Sequence, residues 1–319
     1  MQPLAGTLVV DFTRYLPGAY ASRELTRLGA RVVRVEPPAG DPMRPTATAW
    51  DTALRVGSES VVCDLPPEVA FAQALCARAD VVLEGFRPGI AARLGVGPDD
   101  VPDTTVYCSI TGFGDSAHHR LRAGHDINYL GWAGVLEDTD TQLPPLPIAD
   151  LAAGALGAVT QILAGLLERT RSGRGRRIVV SMTHRSHDLV AHRLGGEPIP
   201  KLLTGGLACY RVYETSDHRH LTVGALEPKF FRRLCELIER ADLADRQYNE
   251  NQEALAGEFA SILVTRSLAE WLAHFGDEDV CVGPVRTREE AAAEFGSLEA
   301  ARDIPLGAHT ETWRRELGL

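Results

Sequence analysis

The constraint that most limits the fold of this chain is the regular alternation of short β-branched runs with helical segments over its first 115 residues. Leu8-Val9-Val10-Asp11-Phe12 reads as a strand, and Gly18 to Leu28 as a helix stopped by Gly29. Arg31 to Glu36 is a second strand, ended by Pro37-Pro38. Ser60 to Leu65 is a third, and Val81-Val82-Leu83 and Thr105 to Ile110 are the fourth and fifth, with a helix at Pro66 to Arg78. Helices placed between apolar strands require parallel crossovers, so the expected class is α/β with a doubly wound, Rossmann-like sheet. No Gly-x-Gly-x-x-Gly follows the first strand, which leaves a nicotinamide or flavin cofactor unsupported.

Asp150 precedes a long apolar helical segment, Leu151 to Arg169, and is expected at its N-cap. A basic turn, Ser172 to Arg177, leads to the strand Ile178-Val179-Val180, and a helix from about Thr183 to Leu194 closes this half. Gly195 to Pro200 reads as a linker. Beyond it, strand signals at 210–213 and 221–223 and helical signals at 228–241, 252–264 and 267–275 predict a smaller α+β unit. The expected division is residues 1–195 with 306–319 as a large domain and 200–305 as a small one.

A net charge of −10, from 43 acidic and 33 basic residues, argues against partners that need a basic field, namely nucleic acid and anionic membrane. It does not exclude an anionic small ligand held by a few local arginines. The six cysteines form no Cys-x-x-Cys motif and mostly sit in apolar runs, as reduced thiols of a cytoplasmic protein do. No secretory signal is read at the N-terminus, and no apolar run is expected to reach membrane-spanning length.

The chemistry concentrates in Gly124-His125-Asp126-Ile127-Asn128-Tyr129 and Pro147-Ile148-Ala149-Asp150. An imidazole and a carboxylate ahead of two apolar helical segments can hold a proton on one side of a carbon and accept one on the other. His184, His187, Asp188 and His192 share one face of a predicted helix, but the run lacks the glutamate of a zinc-protease motif, and no metal is assigned. His118-His119 and His218-Arg219-His220 read as loop residues, and Arg174 to Arg177 as a solvated turn.

Pro3-Leu4-Ala5-Gly6, Val9-Val10-Asp11, Leu28 to Glu36, Glu84-Gly85-Phe86-Arg87-Pro88-Gly89, Ser109 to Gly114 and Ser172-Gly173-Arg174-Gly175 together resemble the family III CoA-transferases over nearly the whole chain. The string from Gly124 to Tyr129 is similar to the α-methylacyl-CoA racemase branch, as is Val223 to Phe231. The resemblance implies a 2-methylacyl-CoA racemase or epimerase acting by 1,1-proton transfer. His125 and Asp150 would be the paired acid and base, and Glu227 would orient His125. Arg34, Arg87, Arg93, Asp126 and Tyr129 match positions that bind the CoA part of the substrate. No separate cofactor is implied, and the working unit would be an interlocked homodimer with Glu227 reaching His125 across the subunit boundary. Peptide N–H groups at the start of the Leu151 helix are expected to hold the enolate oxygen.

The alternatives are a CoA-transferase with a covalent Asp150 intermediate, a specialised secondary-metabolism enzyme of the same fold, including an eliminating one, or a thioester-binding protein without activity. The chain departs from the resemblance at Val56-Gly57-Ser58-Glu59, where Ser58 replaces a nucleotide-contacting lysine. Leu151-Ala152-Ala153-Gly154 replaces a glycine-rich run, His184-Arg185 replaces an Asp-Gly pair, and the segment between Glu290 and Leu306 is short.

Overall fold

The computed structural model describes residues 2–115, 118–137, 142–296 and 303–319. The chain divides into two compact units, Met1–His192 with Leu298–Leu319, and Arg193–Ser297.

The first unit is built on six parallel strands in the order β3-β2-β1-β4-β5-β6. They are β1 (Leu8–Asp11), β2 (Arg31–Glu36), β3 (Glu59–Val62), β4 (Val81–Glu84), β5 (Val106–Thr111) and β6 (Arg177–Ser181). This is the doubly wound order, in which the chain reverses direction across the sheet between β1 and β4. Successive side chains on a strand point to opposite faces. Val9, Val32, Val81 and Val106 therefore enter one core, while Val10, Val33, Val82 and Tyr107 enter the other. Both faces are covered, which is why the strands read as unbroken apolar runs rather than alternating ones.

Helix α1 (Tyr15–Arg27) lies on the first face with Ala21 and Leu25 buried. Beside it lies the long helix α3 (Ala149–Ser172), whose Ala158 and Ile162 are fully buried. By length and composition alone α3 could cross a membrane, contrary to the sequence expectation. Half of its most apolar stretch is buried, and that face packs on the sheet as a core helix. Two shorter helices, α2 (Asp126–Trp132) and α4 (Met182–Val190), flank it.

The C-terminal helix α8 (Thr310–Leu317) returns to this unit. Its fully buried Trp313 joins the second core. The segment also covers the β3 edge. The Ser60 N–H donates to His309 Nδ1 at 3.1 Å, and the Val62 N–H donates to Thr310 Oγ1 at 2.9 Å. An edge whose N–H groups are already taken offers no template for another strand.

The second unit pairs a three-stranded antiparallel sheet, β7 (Tyr210–Glu214), β8 (His220–Gly224) and β9 (Val282–Pro284), with helices α5 (Pro228–Leu237), α6 (Gln252–Leu263) and α7 (Leu268–Phe275). Its core includes Phe231 stacked on Phe259 at 5.6 Å and Trp271 stacked on Phe275 at 5.4 Å. The three-residue β9, Val-Gly-Pro, carries no strand pattern of its own and forms because β8 offers it a free edge. Five of the six cysteines are buried and Cys281 is exposed; all six are free thiols.

Candidate active site

The carboxyl ends of β1, β4 and β5 frame a cavity of about 490 Å³. It lies where the strand order reverses, the place at which open α/β sheets bind ligands. Thr13, Arg14 and Tyr15 follow β1, and Gly85, Phe86 and Arg87 follow β4. The loop ahead of α2 supplies the opposite wall, and His125, Tyr129 and Asp150 all line the same space.

His125 is the N-cap of α2, with extended backbone (φ −124°, ψ 177°). Its own N–H donates to Asn128 Oδ1 at 3.0 Å, closing a capping box that fixes the residue's backbone. Tyr15 stands edge-on to the imidazole, with ring centroids 6.4 Å apart. Tyr15 itself has a φ of +65°, a left-handed conformation that costs a non-glycine residue about 1–2 kcal/mol. The sharp turn from β1 into α1 holds it there.

Asp150 occupies the second position of α3 rather than its N-cap, which is Ile148. The capping carboxylate is instead that of Asp126, whose Oδ1 accepts the Asp150 N–H at 2.9 Å. This corrects the expectation from sequence. Asp126 reaches across from α2 because the two helix starts are packed together, a pairing that local sequence cannot signal. The Leu151 N–H is also taken, by Pro147 O at 3.0 Å. The first peptide N–H groups of α3 are thus already committed and do not form the expected enolate-binding pair. The stretch Ala149–Leu156 is wound as a π-helix before continuing as α-helix. Such wide turns are rare and often found at functional sites.

Electrostatics set the two carboxylates apart from ordinary aspartates. Burial, reinforced by the neighbouring Asp126 charge, pushes Asp150 up to about 7. Burial also raises Asp126, although hydrogen bonds from the Asp150 and Ala149 backbone oppose the shift. Tyr129 rises to about 12, chiefly through burial and then through the Asp150 charge, with Arg87 opposing. Its hydroxyl donates to Gly124 O, tying the chain just ahead of His125 to α2. Below the cavity, Glu84 is raised to about 7 by burial. It accepts the Phe86 N–H at 2.6 Å and so shapes the turn that carries Arg87.

Arg87 lines the cavity and is exposed to it. Arg34 and Arg93 do not line it. Arg34 is 1% exposed, within 3.3 Å of Asp11 and 3.1 Å of Asp41, inside a buried network that also includes Glu36 and Arg55. Its charge is consumed by structure. Arg93 ends a short surface helix, Ile90–Arg93. Ser58, at the position of the missing lysine, is buried and donates to Arg55 O at 2.8 Å. Glu227, in the second unit, is the exposed N-cap of α5, and its carboxylate makes no capping hydrogen bond.

Of the helical histidines, His184 contacts Ser181 Oγ at 2.7 Å and His187 contacts Ala133 O at 3.1 Å. No group of three metal-ligating side chains occurs among the described residues.

Three arginines in the cavity lining were not singled out from sequence: Arg14, Arg120 and Arg122. Arg14 could have been found, since it lies three residues past β1 at the switch point. Its Nη1 donates to Phe12 O, Thr13 O and Val35 O at 2.9–3.0 Å. Arg120 and Arg122 reach the cavity only because their loop folds back over α2.

Comparison with known proteins adds four findings. The sequence matches the CoA-transferase family III over residues 4–310. It is 33% identical to the alpha-methylacyl-CoA racemase of Mus musculus, over 95% of this chain and 83% of the relative. It is 32% identical to a probable fatty acyl-CoA transferase of Mycobacterium tuberculosis, over 85% of this chain and 79% of the relative. The crystal structure of a CAIB/BAIF family protein from Brucella suis superposes with a TM-score of 0.84 at 25% identity, covering 99% of each chain.

Proposed function

The chain belongs to the CoA-transferase family III, a family of enzymes that includes racemases and CoA-transferases, and from that premise we propose that it inverts the 2-position of a 2-methylacyl thioester by 1,1-proton transfer between His125 and Asp150. The observation that carries this reading is the single cavity lined by both side chains, in which Asp150 is raised to about 7. A carboxyl with that value is protonated often enough at neutral pH to donate, and its conjugate base is strong enough to accept. Neutral His125 takes the proton from one enantiomer and Asp150 delivers one to the other face; for the opposite enantiomer the roles reverse. Asp126 positions Asp150, Tyr129 holds the chain ahead of His125, and Arg87 is the cation for the phosphates of CoA. Arg34 and Arg93 have no part in this reading. In a homodimer, Glu227 of the partner subunit would orient His125. No metal or separate cofactor enters the reaction.

The 32% identity to a named transferase favours one other reading, in which ionised Asp150 attacks the thioester carbonyl of an acyl-CoA, expels CoA as its thiolate and carries the acyl group as a mixed anhydride. The two separate in one experiment. In deuterium oxide, without an acceptor acid, the enzyme is expected to exchange the 2-hydrogen of 2-methylacyl-CoA, and His125→Ala to abolish exchange from at least one enantiomer. Unchanged exchange from both enantiomers in that variant removes the proton-transfer reading. Hydroxylamine capture of an acyl group on Asp150, with no exchange in the wild type, establishes the transferase instead.

A further inference from the structure

The charges around this cavity are lopsided. Among the described residues its lining carries four arginines, Arg14, Arg87, Arg120 and Arg122, and one carboxylate, Asp150. The whole chain, by contrast, has a net charge of −10. Arg14 and Arg87 stand at the ends of β1 and β4, while Arg120 and Arg122 ride on the loop that runs directly into His125.

That loop is built rather than loose. Arg122 Nε donates to His119 Nδ1 at 3.0 Å, and its guanidinium stacks over Trp132, 5.3 Å from the ring centroid. His119 packs on the same indole, with centroids 4.5 Å apart, and Trp132 meets Phe113 edge-on at 6.1 Å. Phe113 in turn meets Tyr129 at 5.4 Å. A run of aromatic contacts thus fixes Arg122 relative to the helix that His125 begins. Among the described residues no carboxylate answers either arginine. Arg120 has no hydrogen-bond or ion-pair partner among the described residues, and the one hydrogen-bond acceptor of Arg122 is a ring nitrogen.

Arg122 stands three positions before His125, so their Cα atoms are at most about 11 Å apart. In a CoA thioester the extended pantetheine arm keeps the phosphates far from the carbon that exchanges its proton. Lining the same cavity as the imidazole, Arg120 and Arg122 are placed to meet the acyl part of the substrate. A hydrocarbon chain there would desolvate the guanidinium groups and return nothing. We propose that the acyl group bears a carboxylate, seated on Arg120 and Arg122, so that the substrate class is the monothioester of a branched dicarboxylic acid. This rests on the proton-transfer reading for the position of the reacting carbon.

The test uses thioesters that lack phosphates, so that the acyl group alone is compared. 2-Methylsuccinyl-pantetheine, with the thioester beside the methyl-bearing carbon, is set against 2-methylbutanoyl-pantetheine. The second ends in a methyl where the first ends in a carboxylate. Affinity is read by titration calorimetry and turnover by 2-hydrogen exchange in deuterium oxide. The carboxylate thioester is expected to bind at least about tenfold tighter, with a preference that shrinks as salt rises. Arg120→Gln, and the double variant R120Q/R122Q, are expected to lower the ratio of the two affinities by about tenfold or more, with unchanged circular dichroism. Equal affinities in the wild type, or a ratio that survives both variants, overturns the proposal. Preferential binding of the carboxylate thioester without exchange of either compound leaves this proposal standing and removes the proton-transfer reading. Exchange of both compounds without preference does the reverse.

Discussion

Asp150→Asn tests the electrostatic core of the site without relying on any substrate. Asp150 titrates at about 7 in the folded protein, against an ordinary 3.8, because burial and then the Asp126 charge disfavour its ionised form. The unfolded chain gives up this proton near pH 4 and the folded chain near pH 7. Between those values the folded state binds more protons, so stability falls as pH rises from about 4 to about 7 and is level above. At ~1.4 kcal/mol per tenfold, the ionised side chain costs the fold on the order of 4 kcal/mol at pH 8, of which about 1.6 is already present at pH 5. Asp150 keeps some contact with solvent, so the remaining ~2.7 kcal/mol is discounted to about 2. Asparagine keeps the shape and removes the charge. The variant is therefore expected to be more stable than wild type at pH 8, with a margin about 2 kcal/mol larger than at pH 5. Urea denaturation of both proteins at pH 5, 6, 7 and 8 reads this difference. A margin that does not change with pH, or that is smaller at pH 8, refutes the assignment of a raised Asp150.

Two further substitutions test the frame around the site. Arg34→Met leaves Asp11 and Asp41, both fully buried, without their principal counter-charge; a loss of about 3–5 kcal/mol is expected in chemical denaturation, and a loss below about 1 kcal/mol with a raised KM would return Arg34 to the ligand. Gly175→Ala is expected to cost at least about 2 kcal/mol, because its Cβ would fall against the backbone of Thr104 and Thr105 where the chain enters β6; a thermal midpoint equal to wild type would count against that close approach.

Much of this architecture was legible in the residues. The valine-rich runs from Val9 to Ile110 predicted buried parallel strands because a strand covered on both faces has no polar side to show. The string from Gly124 to Tyr129 and the Asp150 segment pointed to a proton-transfer pair, and both reached one cavity. What escaped depended on contacts between distant segments. Which carboxylate caps α3 is decided by the packing of α2 against it, so Asp126 serves where Asp150 was expected. Arg34 looks like a ligand-binding cation in a strand until Asp11 and Asp41 close around it.

The sequence alone determined the local physics: which runs are apolar on both sides, where glycine and proline interrupt them, and that an imidazole and a carboxylate fall near the starts of two helical segments. Only the folded chain decided how those groups are charged and which are free to act. Burial depth is a property of the assembled core, and it is burial that lifts Asp150 to about 7. The same holds for Arg120 and Arg122, whose place in the cavity comes from a loop laid over Trp132, a contact that no spacing of residues records.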